Sequence, residues 1–109
     1  SKEEIKILLV DDEKQFVDTL AERLAMRGFS ARVAYDGPQA LKAVEDPTDV
    51  IVLDLRMPGM DGFEVLRSVK KSNPQVQVII LTGHGGDAEH LLAGAPGALQ
   101  VAVSPWGST

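Results

Sequence analysis

The sequence predicts an α/β protein in which a parallel sheet carries helices on both faces. Short apolar runs alternate with segments of helical periodicity, and this alternation is typical of parallel sheets with helical crossovers. One run, residues 50–53, is apolar at every position, as expected for a strand buried on both faces. The length of 109 residues fits one modest core, and we find no repeat or linker. A single domain over residues 1–109 is therefore expected.

The first part of the chain contains two strand candidates and two helix candidates. Residues 5–10 form a short apolar run with β-branched side chains, which favours a strand over a helix. Residues 14–27 have apolar side chains at three- and four-residue spacing and are followed by a glycine, a common helix stop. Residues 30–35 are a weaker strand candidate. Asp36-Gly37-Pro38 predicts the start of a second helix, which Pro47 is expected to end.

The second part continues the alternation and then ends on a strand. After the apolar run described above, an Asp-x-x-Glu capping box begins at Asp61 and predicts a third helix. Residues 76–81 are a strongly apolar strand candidate, and residues 88–93 fit a short fourth helix. Residues 98–103 predict a fifth strand, and no helical pattern follows it in the six remaining residues.

Composition and charge argue against several functional classes. The chain has 11 Lys and Arg against 16 Asp and Glu, a net charge of −5, which opposes binding to nucleic acid or to an anionic membrane through bulk charge. The absence of cysteine excludes disulfides, thiolate metal sites and cysteine nucleophiles. The apolar runs are far shorter than the roughly 20 residues of a membrane-spanning helix, and the sequence opens without a signal-peptide pattern. We therefore expect a cytoplasmic protein.

Three aspartates follow two of the predicted strands. Asp11 and Asp12 come after the first strand, and Asp54 comes after the third. Since ligands of open parallel sheets bind outside the carboxyl ends of the strands, these carboxylates are expected to converge. Their mutual repulsion must raise a pKa or be offset by a cation, and oxygen ligands favour magnesium. The first two aspartates could simply favour the N-terminus of the following helix, but Asp54 favours the metal site.

A nucleotide or flavin binder is the main alternative for this fold class. Such proteins place a loop rich in glycine or hydroxyl groups after the first strand, where backbone N–H groups cradle phosphate. Here that loop is Asp11-Asp12-Glu13, which would repel phosphate unless a metal were bound. The composition of the loop therefore argues against this alternative.

Three sequence segments carry a specific combined pattern. They are ILLVDDE at residues 7–13, VLDLRMPGMDG at residues 52–62 and ILTGH at residues 80–84. Together they resemble the receiver domain of bacterial two-component response regulators. The resemblance implies a flavodoxin-like, doubly wound sheet of five parallel strands in the order 2-1-3-4-5.

The resemblance also implies a role for each matching residue. Asp54 would accept a phosphoryl group from a sensor histidine kinase. Asp12, Asp54 and the backbone carbonyl of Arg56 would bind magnesium, and Asp11 would act on the ion through water. Thr82 would hydrogen-bond the new phosphoryl group. The domain would catalyse only its own phosphorylation and dephosphorylation, by positioning and charge neutralisation.

Two positions depart from the family pattern. Where the family usually has a lysine before a proline, this sequence has Ser104, and where the family usually has an aromatic switch residue, it has Val101. A charge-assisted hydrogen bond contributes roughly 1.5–3 kcal/mol, about a quarter to half of the ~5.5 kcal/mol that full switching requires. The alternative function is thus a receiver-like interaction domain that no longer switches. A metal-dependent hydrolase is a third hypothesis, but it expects an acid where Arg56 stands.

The family pattern further implies a fifth helix, for which residues 106–109 are too few. Such a helix would contribute roughly 6–12 kcal/mol by burying about four apolar side chains. We expect its absence to leave an apolar strip over Leu8, Val10 and Val52. A second copy in a homodimer would cover this strip, unless the sequence is part of a longer chain.

Overall fold

The protein forms a parallel sheet with helices packed against it. The structure is a computed structural model and describes residues 4–54, Met57, Gly59, residues 62–81 and the backbone of residues 98–100. The strands are β1 (Lys6–Val10), β2 (Ser30–Ala34), β3 (Val50–Asp54), β4 (Gln77–Leu81) and β5 (Ala98–Gln100). The helices within the described ranges are α1 (Lys14–Met26), α2 (Gly37–Ala43) and α3 (Gly62–Ser72). All neighbouring strands are parallel, in the order β2-β1-β3-β4-β5. The predicted fold class and strand order are confirmed.

The sheet register aligns the carboxyl ends of the central strands. Val10, the last residue of β1, pairs with Ala34 of β2 on one side and with Leu53 of β3 on the other. The next residue of β3, Asp54, pairs with Leu81 of β4. The residues that follow β1 therefore lie beside the last residue of β3, at one edge of the sheet.

The core has two layers, one on each face of the sheet. Helices α2 and α3 cover one face, where the buried strand residues include Ile51, Leu53 and Val78. Helix α1 covers the other face, where Ile7 and Leu9 pack with Val17 of the helix. Since successive strand side chains point to opposite faces, alternate residues of β1 enter different layers.

This alternation corrects the predicted apolar strip. Leu8 and Val10 are 0% and 1% exposed, and both belong to the layer beneath α2 and α3. The strip therefore cannot include them. Val50 and Val52 of β3 lie on the face covered by α1 and are only half-buried. The prediction that the third strand is buried on both faces is therefore wrong for the α1 face. The homodimer stays a prediction and would involve this half-buried part of β3.

The second helix ends earlier than predicted. Helix α2 begins as expected, because the Asp36 carboxylate accepts a hydrogen bond from the backbone N–H of Gln39 at 2.8 Å. It ends at Ala43 rather than at Pro47. The N–H of Glu45 donates to the carbonyl of Lys42 at 3.2 Å, a three-residue bond that closes the last turn.

The other predicted elements fall partly outside the described residues. Helix α1 ends before Gly28, whose φ of 96° agrees with the predicted glycine stop. Helix α3 has Glu64 in its first turn, whereas Asp61 of the capping box lies outside the described part. The helix candidate at 88–93 and residues 101–103 also lie outside it. None of the helices α1–α3 is long and apolar enough to cross a bilayer.

Candidate functional site

Three aspartate carboxylates meet at the carboxyl edge of the sheet and form what we term the acid cluster: Asp11, Asp12 and Asp54. One carboxylate oxygen from each residue lies within 4.8 Å of the others. Asp11 and Asp12 follow β1, and Asp54 is the last residue of the neighbouring strand β3. The convergence predicted from the sequence is therefore present in the structure.

The acid cluster has a buried side and an open side. Asp11 is 4% exposed, Asp54 is half-buried and Asp12 is exposed. The backbone N–H of Asp11 donates to the carbonyl of Ala34 at 3.0 Å, which anchors the residue to the end of β2. Its carboxylate accepts a hydrogen bond from the backbone N–H of Glu13 at 2.9 Å. A ligand can therefore approach from the side of Asp12, while the Glu13 N–H holds the Asp11 carboxylate.

Burial raises the pKa of Asp11 to about 6. The negative charges of Asp54 and Asp12 and a hydrogen bond with the Asp54 side chain act in the same direction, whereas the N–H of Glu13 opposes the change. Desolvation and like charges both disfavour the ionised carboxyl group. A bound cation would reverse this balance by favouring the ionised form.

The donor set of the acid cluster fits magnesium. All three groups offer carboxylate oxygens, the ligands that hard divalent cations prefer. Few protein carboxylates on an open rim leave room for the water molecules that magnesium retains. Burial, followed by the negative charges of Asp54 and Asp12, raises the pKa of Asp11, and a bound cation would offset those charges. The residues present are thus suited to hold the ion.

The remaining predicted site residues lie outside the described part of the chain. They are Arg56, Thr82, Val101 and Ser104. The structure also places near this edge of the sheet a residue that was not predicted as part of the site, Tyr35, which directly follows β2. It follows β2 just as Asp11 follows β1. Its position directly after a parallel strand could therefore have indicated from the sequence that it lies near the site.

Comparison with known proteins identifies the family. A family model described as the response regulator receiver domain matches residues 7–105. The chain belongs to the response regulator receiver domain family. The resemblance noted from the sequence is confirmed, and with it the assignment to two-component signalling.

Curated relatives of this receiver domain are longer proteins. The transcriptional regulatory protein CpxR of Escherichia coli (strain K12) is 40% identical over 87 residues, which cover 80% of this chain and 37% of CpxR. The CpxR protein of Klebsiella pneumoniae gives the same values. The chain thus spans little more than a third of the length of the curated relatives that it matches.

Solved structures of other receiver domains share the fold. The receiver domain protein from Clostridium thermocellum is 33% identical, with a TM-score of 0.80 over 93% of this chain and 82% of that one. The HemR receiver domain from Leptospira biflexa is 29% identical, with a TM-score of 0.82 over 94% and 83%. The response regulator TrrA from Thermotoga maritima, solved in complex with Mg²⁺ and BeF, is 28% identical, with a TM-score of 0.75 over 92% and 89%.

Proposed function

We propose that this receiver domain accepts a phosphoryl group on Asp54 from a phosphohistidine of a sensor kinase, with Mg²⁺ bound at the acid cluster. The observation that carries the proposal is the approach of three carboxylate oxygens within 4.8 Å at the end of β3. Membership of the receiver family supports it, as does a structural neighbour solved with Mg²⁺ and BeF. The proposed roles of Arg56 as a carbonyl ligand and Thr82 as a phosphoryl hydrogen-bond donor come from the family resemblance.

Each residue of the acid cluster would contribute differently to the transfer. An oxygen of the Asp54 carboxylate forms the new bond to phosphorus while the bond from phosphorus to the histidine nitrogen breaks. Asp54 suits this role because it is half-buried at the end of a strand, where its backbone is held by pairing with β4. Asp12 is exposed on the open side, and the Glu13 N–H holds the carboxylate of the buried Asp11.

Mg²⁺, when bound, supplies positive charge that offsets both the carboxylates and the phosphoryl oxygens. The chain itself supplies positioning, since β1 and β3 hold the carboxylates in register before any donor arrives. We propose that the domain catalyses only its own phosphorylation and dephosphorylation. A cytoplasmic location fits this partner, and the net charge of −5 argues against direct binding of this chain to nucleic acid.

A receiver-like interaction domain that no longer switches is the second candidate function. The presence of Ser104 at the position of the family's lysine favours it, because a serine hydroxyl carries no charge to offer a phosphoryl group. This candidate predicts docking to a partner protein without a response to phosphorylation.

Intact-mass spectrometry after incubation with Mg²⁺ and a small phosphodonor tests the proposed function. The wild-type chain should gain the mass of one phosphoryl group, and Asp54→Asn should gain none. Asp46→Asn is the matched control, because it makes the same change at an exposed aspartate in the connection from α2 to β3. Modification of the Asp54→Asn protein would place the phosphoacceptor elsewhere, and an unmodified wild-type chain would favour the second candidate.

A further inference from the structure

Tyr35, the residue after β2, is held by the first two turns of α1. Its hydroxyl donates a hydrogen bond to a carboxylate oxygen of Asp18 at 2.7 Å. The ammonium group of Lys14 lies 5.2 Å from the centroid of the Tyr35 ring, within the range of a cation–π contact. Since Lys14 and Asp18 are four residues apart, they lie on one face of the helix, and both contact the Tyr35 side chain.

The end of β2 therefore contacts both sides of the connection that contains Asp12. On the β1 side, the carbonyl of Ala34 accepts the hydrogen bond from the N–H of Asp11 at 3.0 Å. On the α1 side, the next residue, Tyr35, binds the helix through its side chain. The two consecutive residues thus fix the two ends between which Asp12 lies.

The start of α1 has no side-chain cap among the residues that the structure describes. Its N-cap residue is Glu13, whose side chain makes no capping hydrogen bond with the residues that the structure describes. A capping side chain usually stabilises the start of a helix, so contacts from other elements contribute more to holding this turn. Tyr35 is itself held from the other side, since its backbone N–H donates to the side-chain carbonyl of Gln39 in α2 at 3.0 Å.

We propose that Tyr35 is a positioning residue that holds the first turn of α1 against the end of β2 and so sets the distance of the Asp12 carboxylate from the rest of the acid cluster. The inference rests on the proposed function for its consequence, which is the affinity of the cluster for Mg²⁺. The Tyr35 hydroxyl, whose ordinary pKa of 10.0 the hydrogen bond to Asp18 raises further, is protonated at neutral pH and can donate this bond.

Mg²⁺ titrations followed by NMR of the Asp12 and Glu13 amide signals test the inference. Tyr35→Phe keeps the ring and removes the hydroxyl, and we expect it to weaken Mg²⁺ binding at least about threefold. Asp18→Ala should weaken Mg²⁺ binding to a similar extent. The double variant should bind Mg²⁺ no more weakly than the weaker-binding single variant, since each substitution removes the same hydrogen bond. Glu22→Ala is the matched control, because it removes an exposed carboxylate one turn further along α1.

Equal Mg²⁺ affinities of the wild-type and Tyr35→Phe proteins would overturn the inference, as would an equal loss in Glu22→Ala. The free energy of unfolding, measured without metal, separates a positioning role from a general loss of stability. If Mg²⁺ affinity falls only in proportion to the free energy of unfolding across the variants, the inference is also overturned.

Hydrogen exchange of the metal-free protein keeps this result separate from the proposed function. The amide of Val17, which donates to the carbonyl of Glu13 at 3.0 Å in the first turn of α1, should exchange faster in Tyr35→Phe than in the wild-type chain. Unchanged exchange would contradict the inference even if the wild type binds Mg²⁺. A wild-type chain that binds no Mg²⁺ would contradict the proposed function, and the exchange rates would still decide whether Tyr35 holds α1.

Discussion

The guanidinium group of Arg32 donates a hydrogen bond to the hydroxyl oxygen of Thr48 at 2.8 Å, which ties β2 to the connection that leads into β3. A second nitrogen of Arg32 donates to the carbonyl of Ala43 at the end of α2, at 2.9 Å. The Thr48 hydroxyl in turn donates to the carbonyl of Asp46 at 2.9 Å, and Thr48 is 7% exposed. The Arg32 side chain thus joins β2 to the end of α2 and to the connection before β3, at the edge of the sheet opposite the acid cluster.

Replacement of Thr48 by valine should lower the free energy of unfolding by about 1–3 kcal/mol, because it removes a buried hydroxyl and leaves polar partners unsatisfied. Urea unfolding measures the change. Thr19→Val provides the control, since it makes the same substitution at an exposed position of α1. If the two variants were equally stable, the network around Thr48 would not contribute to stability as the structure indicates.

The stability of the metal-free protein should decrease as the pH rises from about 3.8 to about 6. The ordinary pKa of the Asp11 carboxyl is 3.8, and in the folded protein it is raised to about 6. Between these values the folded state binds more protons than the unfolded state, so deprotonation favours unfolding. Asp11→Asn should therefore be more stable than the wild type at pH 7 without metal, and no more stable below pH 3.8.

Thermal or urea unfolding at several pH values checks this prediction, with Glu22→Gln as a control at an exposed carboxylate of α1. A wild-type stability that rises over the same pH interval, with no gain in Asp11→Asn, would show that the buried carboxyl group does not have a raised pKa.

Mg²⁺ should stabilise the wild-type protein at pH 7. A ligand that binds only the folded state stabilises it by about 2.7 kcal/mol at a concentration of 100 times its Kd. Asp12→Asn should respond much less, because it removes the charge of the exposed carboxylate of the acid cluster. Melting curves with MgCl₂ and with NaCl at equal ionic strength provide the measurement, and Glu45→Gln provides the control. A similar response in Asp12→Asn would exclude Asp12 as a ligand.

Substitution of Ser104 by lysine should enlarge the spectral change that beryllofluoride and Mg²⁺ induce in NMR signals around Thr82 and Val101. The new ammonium group would restore a charge-assisted hydrogen bond worth roughly 1.5–3 kcal/mol. Ser108→Lys adds the same charge four residues further along and is the matched control. Equal responses of the wild-type chain and Ser104→Lys would show that coupling does not depend on this position.

Much of the architecture followed from local patterns in the sequence. Apolar runs of strand length alternating with helical periodicity predicted the parallel α/β fold, because each parallel connection requires a crossover. The meeting of Asp11, Asp12 and Asp54 also followed, since the carboxyl ends of parallel strands share one edge. The order of the strands came from the family resemblance and not from periodicity.

Other features were decided only by the tertiary structure. Strand periodicity assigns Leu8 and Val10 to one face, but it does not say which helices cover that face, and they proved to lie beneath α2 and α3. The raised pKa of Asp11 depends on burial by neighbours distant in sequence. The contact between Tyr35 and Asp18 joins residues 17 positions apart. Within the described residues, the sequence by itself determined which elements form and which strand ends bear acids, because these depend on neighbours along the chain. Packing decided what surrounds each side chain.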